Sequence, residues 1–171
     1  MGLFSSDFSI YPFGELSLEN CYPSTTDFQV ISTGDGRGVG IKSLRQIRRG
    51  HLLCKVSGQL LASRRLHTLE INEAVHMYDP HFTGLLLHSC DPNVFLDMAS
   101  LELWALKDIV RGDLLCMDYA VTEGTLMRQF ACQCGSPNCR LWITGSKEPL
   151  NEEGKKFLGQ LNCDCDSAVG S

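Results

Sequence analysis

The stretch CQCGSPNC, at residues 132–139, constrains the fold of this chain more than any other part of its sequence. It places Cys132, Cys134 and Cys139 in a C-x-C-x4-C array whose other members are glutamine, glycine, serine, proline and asparagine. Three cysteines of a buried core would be the alternative, but these polar neighbours are not typical of a core. Clustered thiolates favour a soft cation, and zinc in structural sites takes four ligands. The array therefore predicts a zinc site whose fourth ligand lies elsewhere in the chain.

A second polar cluster follows three leucines in the stretch LLLHSCDPNVFLD, at residues 85–97. If the leucines form a short buried element, the polar residues after them leave the core together and need partners, which is typical of the wall of a site. An ordinary turn at Asp91, Pro92 and Asn93 would account for the same composition. The cysteine array favours the first explanation, because Cys90 is a natural fourth ligand for the predicted zinc.

Nine cysteines are many for a chain whose start, MGLFSSDFSIYPFGE, lacks the basic region and long apolar run of a secretory signal. In that context close cysteine spacings indicate metal binding before disulfides. MGLFSS matches the short myristoylation pattern, but no basic cluster follows to give a second membrane signal. We therefore expect an intracellular protein, cytoplasmic or nuclear and not secreted, that does not bind a membrane.

The composition fits one globular domain with tails. The chain has 171 residues, of which 43% are hydrophobic and 20% charged, so it can bury a core without disulfides. Fifteen Lys and Arg against 20 Asp and Glu give a net charge of -5. This negative charge disfavours nucleic-acid binding as the main role and favours a basic partner or peptide.

Short β-like segments separated by glycines predict a mainly β fold. IKSLRQIRRGHLL and LELWALKDIVRGDLLCMDY share one pattern, in which a basic, apolar turn with a glycine leads into a strand. Such repeated units indicate small β-sheets packed around one core. Between them, residues 63–79 are predicted as a helix, because Leu66, Leu69 and Ala74 have roughly helical spacing. Residues 150–161 are predicted as a short polar helix and residues 166–171 as a loose tail.

Four motifs, in order, resemble those of the SET-domain lysine methyltransferases that carry a zinc-binding post-SET segment. They are GRGVGIKSLRQIRRGHLL, HSCDPNV, ALKDIVRGDLLCMDY and CQCGSPNCRLWI. The resemblance implies small β-sheets around a knot-like active site with a short helical insert. It also implies an N-terminal extension (1–26), a SET domain (27–124), a post-SET zinc segment (125–145) and a C-terminal polar helix and tail (146–171).

The resemblance also implies the site residues. The zinc ligands would be Cys90, Cys132, Cys134 and Cys139. Tyr119 would be the catalytic residue, since the family's active-site tyrosine uses its hydroxyl to hold the amine and the methyl group in line. The zinc would be structural and would fold the lid of the cofactor pocket.

The cofactor implied by the resemblance is S-adenosylmethionine. The residues expected to bind it are Gly36, Arg37, Gly38, Val39, His88 and Trp142. The glycine segment would lie along the cofactor, where glycine tolerates close approach. The histidine would lie beside the adenine, and the tryptophan would close over the cofactor.

The sequence departs from the family at several positions. Leu87 replaces the usual asparagine before the histidine, and Gly84 replaces an arginine three residues earlier. Val56 replaces a second active-site tyrosine, and Gln59 replaces a glutamate. The insert that normally forms one side of the peptide groove is also short, so histone specificity is not carried over.

Three further residues leave questions open. Met117 lies where the family often has an aromatic residue that limits the number of methyl groups, and a flexible methionine does not obviously do so. Cys163 and Cys165 form a lone C-x-C near the tail, which surface or disordered thiols explain better than an extra metal contact.

We expect a methyltransferase that transfers methyl groups to the side-chain amine of lysine in a protein, with a basic peptide as one substrate type and no direct nucleic-acid binding. Two alternatives remain open. One is a SET scaffold that has lost catalysis and serves as a binding or interaction module. The other is an amine methyltransferase that acts on a small molecule.

Overall fold

The computed structural model describes residues 8–16 and 18–167, and most regular structure in these ranges is β-strand. The strands are β1 (Phe28–Ser32), β2 (Val39–Ser43), β3 (Leu52–Lys55), β4 (Gln59–Leu61), β5 (Thr68–Asn72), β6 (Val75–Tyr78), β7 (Leu87–His88), β8 (Val94–Asp97), β9 (Glu102–Ala105), β10 (Cys116–Met117), β11 (Phe130–Ala131) and β12 (Trp142–Ile143). The helices are α1 (Tyr119–Thr122) and α2 (Glu152–Ser167), with single 3-10 turns at Leu18–Asn20 and Thr83–Leu85. The predicted mainly β fold is confirmed.

The strands form five small sheets. Four are antiparallel: the β1–β2 hairpin, the order β3-β9-β8, the order β4-β6-β5, and the β11–β12 pair. The fifth pairs β7 with β10 in parallel. The sheets enclose one hydrophobic core, in which Phe28 and Phe82 meet edge to face at 5.1 Å between ring centroids.

The predicted N-terminal extension contributes to this core. Tyr11 is 3% exposed, and its hydroxyl donates to Asp79 at 2.8 Å. The carboxylate of Asp79 also accepts from the backbone N–H groups of His81, Phe82 and Thr83, the last at 2.8 Å, where the 3-10 turn at Thr83–Leu85 begins. Because a buried carboxylate needs several donors, this network fixes the segment that leads into β7.

The parallel pairing of β7 with β10 joins two distant parts of the chain. Leu87 pairs with Cys116, and His88 pairs with Met117. Asn93 holds the same crossing with its side chain, which donates to Leu114 O at 2.8 Å and accepts from Cys116 N–H at 2.8 Å. Residues 88–90, which we call the HSC segment, therefore pack against β10, in agreement with the predicted knot-like arrangement.

The helix predicted over residues 63–79 is wrong. This stretch forms the β5–β6 hairpin, whose turn is held by Asn72, since its side chain accepts from Ala74 N–H at 2.9 Å. β4 pairs with the other edge of β6. Three β-branched residues and this third strand outweigh the weak helical spacing of the leucines.

The predicted C-terminal helix is confirmed as α2 and is longer than expected, since it continues to Ser167. Residues 168–171 of the predicted tail and the MGLFSS segment lie outside the described residues. None of the helices in residues 8–16 and 18–167 has the length and hydropathy needed to cross a membrane. The predicted domain boundaries remain predictions.

Candidate functional site

The loop between β1 and β2 turns back with three glycines in left-handed backbone conformation. Gly34, Gly36 and Gly38 have φ of 68°, 87° and 95°. Side chains are disfavoured there, which explains the glycine-rich sequence. Thr33 closes the loop, because its N–H and its hydroxyl each donate to Gly38 O at 2.9 Å. The Arg37 guanidinium meets the Asp35 carboxylate at 2.7 Å.

This loop borders a cavity of about 360 Å³, which we call the glycine-loop cavity. It is lined by Gly36, Arg37, Leu87, His88, Tyr119, Phe130, Ala131, Cys132, Gln133 and Cys134. The structure therefore brings together four of the predicted site residues outside the metal set: a glycine, the arginine, the histidine and the tyrosine. Gly38 and Val39 do not line the cavity, since Gly38 closes the loop and Val39 begins β2 with 46% exposure.

His88 is a buried, neutral wall of the glycine-loop cavity. Its Nδ1 accepts from Tyr119 N–H at 3.3 Å, which leaves the Nε2 proton to face Cys90 Sγ at 3.5 Å. Burial lowers the pKa of His88 to about 4, with Asp118 opposing the shift and Arg140 adding to it. A neutral imidazole beside a sulfur is compatible with a flat, uncharged ligand surface on its other side.

A second cavity, of about 250 Å³, is also lined by Tyr119 and is called the Tyr119 cavity here. Its apolar wall consists of Leu66, Leu69, Leu86, Met117, Leu126, Met127 and Phe130. Its other lining residues are Arg64, Arg65, His67, Thr68, Thr83, Gly84, Glu123 and Arg128. Tyr119 and Phe130 line both cavities, so these two rings form the shared wall.

Tyr119 is held rigidly at this shared wall. Its hydroxyl donates to Leu86 O at 2.7 Å, and burial raises the pKa of the phenol above its usual value. The ring meets His88 at 5.2 Å and Phe130 at 5.9 Å between centroids, both edge to face. The hydroxyl therefore stays protonated at neutral pH and points along a fixed direction.

Two of the sequence departures have structural reasons. A side chain at Gly84 would place its Cβ 2.2 Å from Asp79 O and 2.6 Å from His67 Cβ, so an arginine does not fit there. Leu87 packs against Gly40, where an added Cβ would lie 2.9 Å from its Cδ1. Val56, expected at the amine pocket, is 1% exposed in the hydrophobic core and lines neither cavity.

Glu123 is a candidate functional residue that the sequence did not reveal. It lines the Tyr119 cavity with 7% exposure, and its Oε1 accepts from Glu70 N–H at 3.0 Å. Burial raises the pKa of this carboxyl to about 7; the hydrogen bond from Glu70 N–H and the Arg64 charge oppose the rise, and the Glu70 carboxylate adds to it. The only available signal was its position four residues after Tyr119, at the end of a short helix.

The four cysteines predicted as zinc ligands lie together. The Sγ atoms of Cys90, Cys132, Cys134 and Cys139 are all within 4.8 Å of one another, and Cys90 and Cys132 are 3.9 Å apart. Four sulfurs at about 2.3 Å from a zinc ion would be separated by roughly 3.8 Å in a tetrahedron. The cluster therefore fits a structural zinc site.

The surrounding backbone supplies hydrogen bonds to the sulfurs. Arg140 N–H donates to Cys90 Sγ at 3.3 Å, and Leu141 N–H donates to Cys139 Sγ at 3.4 Å. Both donors depend on a tight turn, in which Leu141 has φ of 66° and Trp142 N–H donates to Arg140 O at 2.7 Å. Such i to i+2 turns with positive φ are rare and strained, so the turn that feeds the cluster stores backbone strain.

Trp142, expected to close over the cofactor, is not brought to the glycine-loop cavity. Its ring lies 5.4 Å from that of Phe157 in α2, and its Nε1 donates to Gln129 Oε1 at 3.1 Å. Gly154 of α2 lies so close that an added Cβ would be 2.4 Å from the indole nitrogen. The aromatic residue that lines the cavity before the cysteine array is Phe130, whose position two residues before Cys132 was the signal that could have identified it.

No family model matches the chain, but the chain is similar in sequence to several methyltransferases. The probable histone-lysine N-methyltransferase set-23 of Caenorhabditis elegans is 26% identical over 152 residues, which cover 71% of this chain and 62% of that protein. The methyltransferase flvH of Aspergillus flavus is 28% identical over 130 residues, which cover 74% of this chain and 72% of that protein. The chain thus spans less than two thirds of the worm relative.

Solved structures show the same fold. KRYPTONITE in complex with mCHG DNA and SAH superposes with a TM-score of 0.57 at 24% identity, covering 67% of this chain and 28% of that one. The methyltransferase domain of human SETMAR gives a TM-score of 0.52 at 23% identity, and the match covers 69% of this chain and 58% of that one. In its fold, its relatives and its four-cysteine cluster, the chain is similar to SET-domain methyltransferases.

Proposed function

We propose that the protein transfers methyl groups from S-adenosylmethionine to the side-chain amine of lysine in a protein substrate. The observation that carries this proposal is the pair of cavities that share Tyr119 and Phe130 as a wall. Methyl transfer needs the donor and the amine on opposite sides of the moving carbon, held in line. Two compartments that meet at one fixed hydroxyl provide this arrangement.

The glycine-loop cavity is proposed to hold the cofactor. Its donor set suits a nucleoside and a carboxylate, because it combines exposed loop backbone at Gly36, the cation of Arg37 and the neutral ring of His88. The presence of SAH in the KRYPTONITE structure supports this choice of ligand. Leu87 and the tightly packed Gly84 leave fewer polar contacts than the family pattern has, so we expect weaker binding than that of a full motif.

The Tyr119 cavity is proposed to hold the amine. When bound, S-adenosylmethionine supplies a methyl group on a sulfonium sulfur, which the amine nitrogen takes with its lone pair as the carbon–sulfur bond breaks. Tyr119 and the Leu86 carbonyl orient the nitrogen, and the apolar wall with Met117 excludes water. Glu123, with a pKa near 7, is placed to receive the proton that the ammonium must lose.

The proposed role of zinc is structural. The four cysteines join the HSC segment, which carries His88, to the segment that carries Phe130 and Cys132. Arg140 reinforces this junction with an ion pair to Asp118 at 2.5 Å. A bound zinc would therefore hold two walls of the glycine-loop cavity together without taking part in the chemistry.

The choice of a lysine side chain rests on the relatives. The set-23 protein carries the name of a histone-lysine methyltransferase, and a KRYPTONITE structure contains an H3(1-15) peptide with SAH. A module that has lost catalysis would keep the fold without binding the cofactor. Calorimetric titration with S-adenosylmethionine separates the two, since a protein that binds no cofactor is not the proposed enzyme.

The decisive test of catalysis is a methyl-transfer assay on lysine peptides, mixed proteins and small amines with wild type and Tyr119→Phe. We expect turnover to fall by a factor of about 10²–10³ while zinc content and cofactor binding stay almost unchanged, because only the aligning hydroxyl is lost. The rate should rise with pH, since the amine reacts in its neutral form.

The matched control for this assay is Tyr22→Phe, because Tyr22 lies outside both cavities and should keep full activity. Equal turnover in wild type and Tyr119→Phe would show that Tyr119 is a structural residue.

A further inference from the structure

The Tyr119 cavity is lined by more cationic side chains than carboxyls, in a chain whose net charge is -5. Three arginines line this cavity, Arg64, Arg65 and Arg128, against one carboxyl, Glu123. Salt screens charges beyond about 8 Å at physiological ionic strength, so a substrate at the mouth experiences these local cations more than the overall charge. The local charge therefore opposes the basic peptide that the composition favoured.

The guanidinium groups of Arg64 and Arg65 are fixed and still have donors to spare. Arg65 lies over the Tyr78 ring at 3.9 Å from the centroid, a stacking contact that leaves its N–H edges open. Arg64 Nη2 is 3.7 Å from Glu70 Oε2, which is an ion pair longer than a hydrogen bond. Its buried Nε has no hydrogen-bond partner among the residues that the structure describes. The Arg64 side chain as a whole is 27% exposed, so its guanidinium still has donors for an oxyanion in the cavity.

Arg128 is more loosely held, with a side chain that is 79% exposed and 3.7 Å from Glu153. Arg65 and Arg128 therefore lie towards solvent, whereas Glu123 is buried and Tyr119 is partly buried. The cavity thus offers a carboxyl and a phenol inside and guanidinium groups outside. These charges are complementary to a ligand whose amine lies at the inner end of the cavity and whose acid group lies at the outer end.

We propose that the substrate amine carries a carboxylate a few bonds away, which binds Arg64 and Arg65 while the amine reaches Tyr119 and Glu123. This inference rests on the proposed methyl transfer and narrows its substrate class. The carboxylate is supplied either by acidic residues that flank a lysine in a peptide or by the acid group of a small amine. A lysine flanked by arginines places like charges at the mouth and is disfavoured.

The test is methyl transfer by the whole protein to matched substrates. One arm compares two peptides of equal length in which the same lysine is flanked by glutamates or by arginines. The other arm compares free lysine with its decarboxylated analogue cadaverine, which distinguishes the two sources of the carboxylate. In at least one of the two pairs, we expect kcat/KM to be at least about tenfold higher for the member that bears the carboxylate, which is the glutamate-flanked peptide or free lysine.

The variants Arg64→Gln and Arg65→Gln should each reduce that preference about threefold to tenfold, and Arg111→Gln, at an exposed arginine outside the cavities, should leave it unchanged. Thermal midpoint and zinc content show that the variants fold. As a measurement on the wild type alone, rising salt should slow transfer to the acidic substrate more than to cadaverine.

The two proposals fail in different ways. Methylation of both members of each pair at equal rates, or a preference for the arginine-flanked peptide, overturns the carboxylate inference and leaves methyl transfer standing. Absence of transfer to all four substrates, with cofactor bound, overturns both.

Discussion

The buried carboxyl of Glu123 should make the folded protein less stable at neutral pH than at acid pH. Replacing it with glutamine keeps the shape and the hydrogen bond from Glu70 N–H but removes the charge. In the unfolded chain the carboxyl ionises near 4.5, and in the folded protein burial raises its pKa to about 7. Between these values the folded state holds the proton more tightly, so stability falls as pH rises through this window.

The size of the effect follows from that interval. At about 1.4 kcal/mol per pH unit, it corresponds to roughly 3 kcal/mol of unfolding free energy. Below pH 4.5 the carboxyl is protonated in both states, so Glu123→Gln should change stability little. Above pH 7 the folded wild type carries the full cost, and the variant should be more stable by up to that amount. For a chain of this length, this is a rise in Tm of about 6–12 °C.

The assay is thermal or urea unfolding of wild type and Glu123→Gln at pH 5 and pH 8. Glu153→Gln is the matched control, because its exposed carboxylate should shift stability by less than about 0.5 kcal/mol. Methyl transfer by Glu123→Gln should fall on the order of 10²-fold if the carboxyl receives the amine proton. Equal stabilisation at both pH values, or a loss of stability at pH 8, would refute the burial argument.

Three further substitutions test the cysteine cluster and its supports. Cys134→Ser should abolish binding of the one zinc per chain, measured by elemental analysis, and weaken cofactor binding, measured by titration. The control Cys21→Ser should change neither. Normal zinc content in Cys134→Ser would exclude the assigned site. Leu141→Gly should raise stability by about 0.5–1 kcal/mol in urea unfolding, because glycine tolerates its positive φ, and a loss would show that the turn is unstrained. Gly154→Ala should lower the free energy of unfolding by about 1–3 kcal/mol, because the added methyl group meets the indole of Trp142 in β12. Gly159→Ala, whose methyl group meets open space, should raise it by about 0.5–1 kcal/mol. Equal effects of the two substitutions would contradict the packing of α2.

The sequence was most informative where function and local chemistry coincide. The cysteine array and Cys90 predicted one cluster because thiolates that share a cation must be close in space, whatever fold brings them there. The glycine loop was predictable for a similar reason, since positive φ at Gly36 leaves few other residues available. These signals are local or chemical, and they do not depend on distant packing.

Features that depend on distant packing were missed. Residues 63–79 form a hairpin because β4 offers a partner edge, which no periodicity within the stretch records. Trp142 packs against α2, whose Phe157 lies 5.4 Å away, and does not line the glycine-loop cavity; its role at the cofactor stays a prediction. The charge around the Tyr119 cavity comes from the turn before β5, from the end of α1 and from the loop before β11, so composition alone did not reveal it.

The pairing of β7 with β10 also sets the order in which the molecule assembles. Hairpins such as β1–β2 and β8–β9 close short loops and should form early, whereas this parallel pair waits for the chain to fold back from far away. Cys90 and Cys132 are 42 positions apart, and a metal that joins them would offset loop-closure entropy on the order of 4 kcal/mol. Metal depletion should therefore open both cavities, in a partial unfolding visible by hydrogen exchange, while the hairpins stay protected.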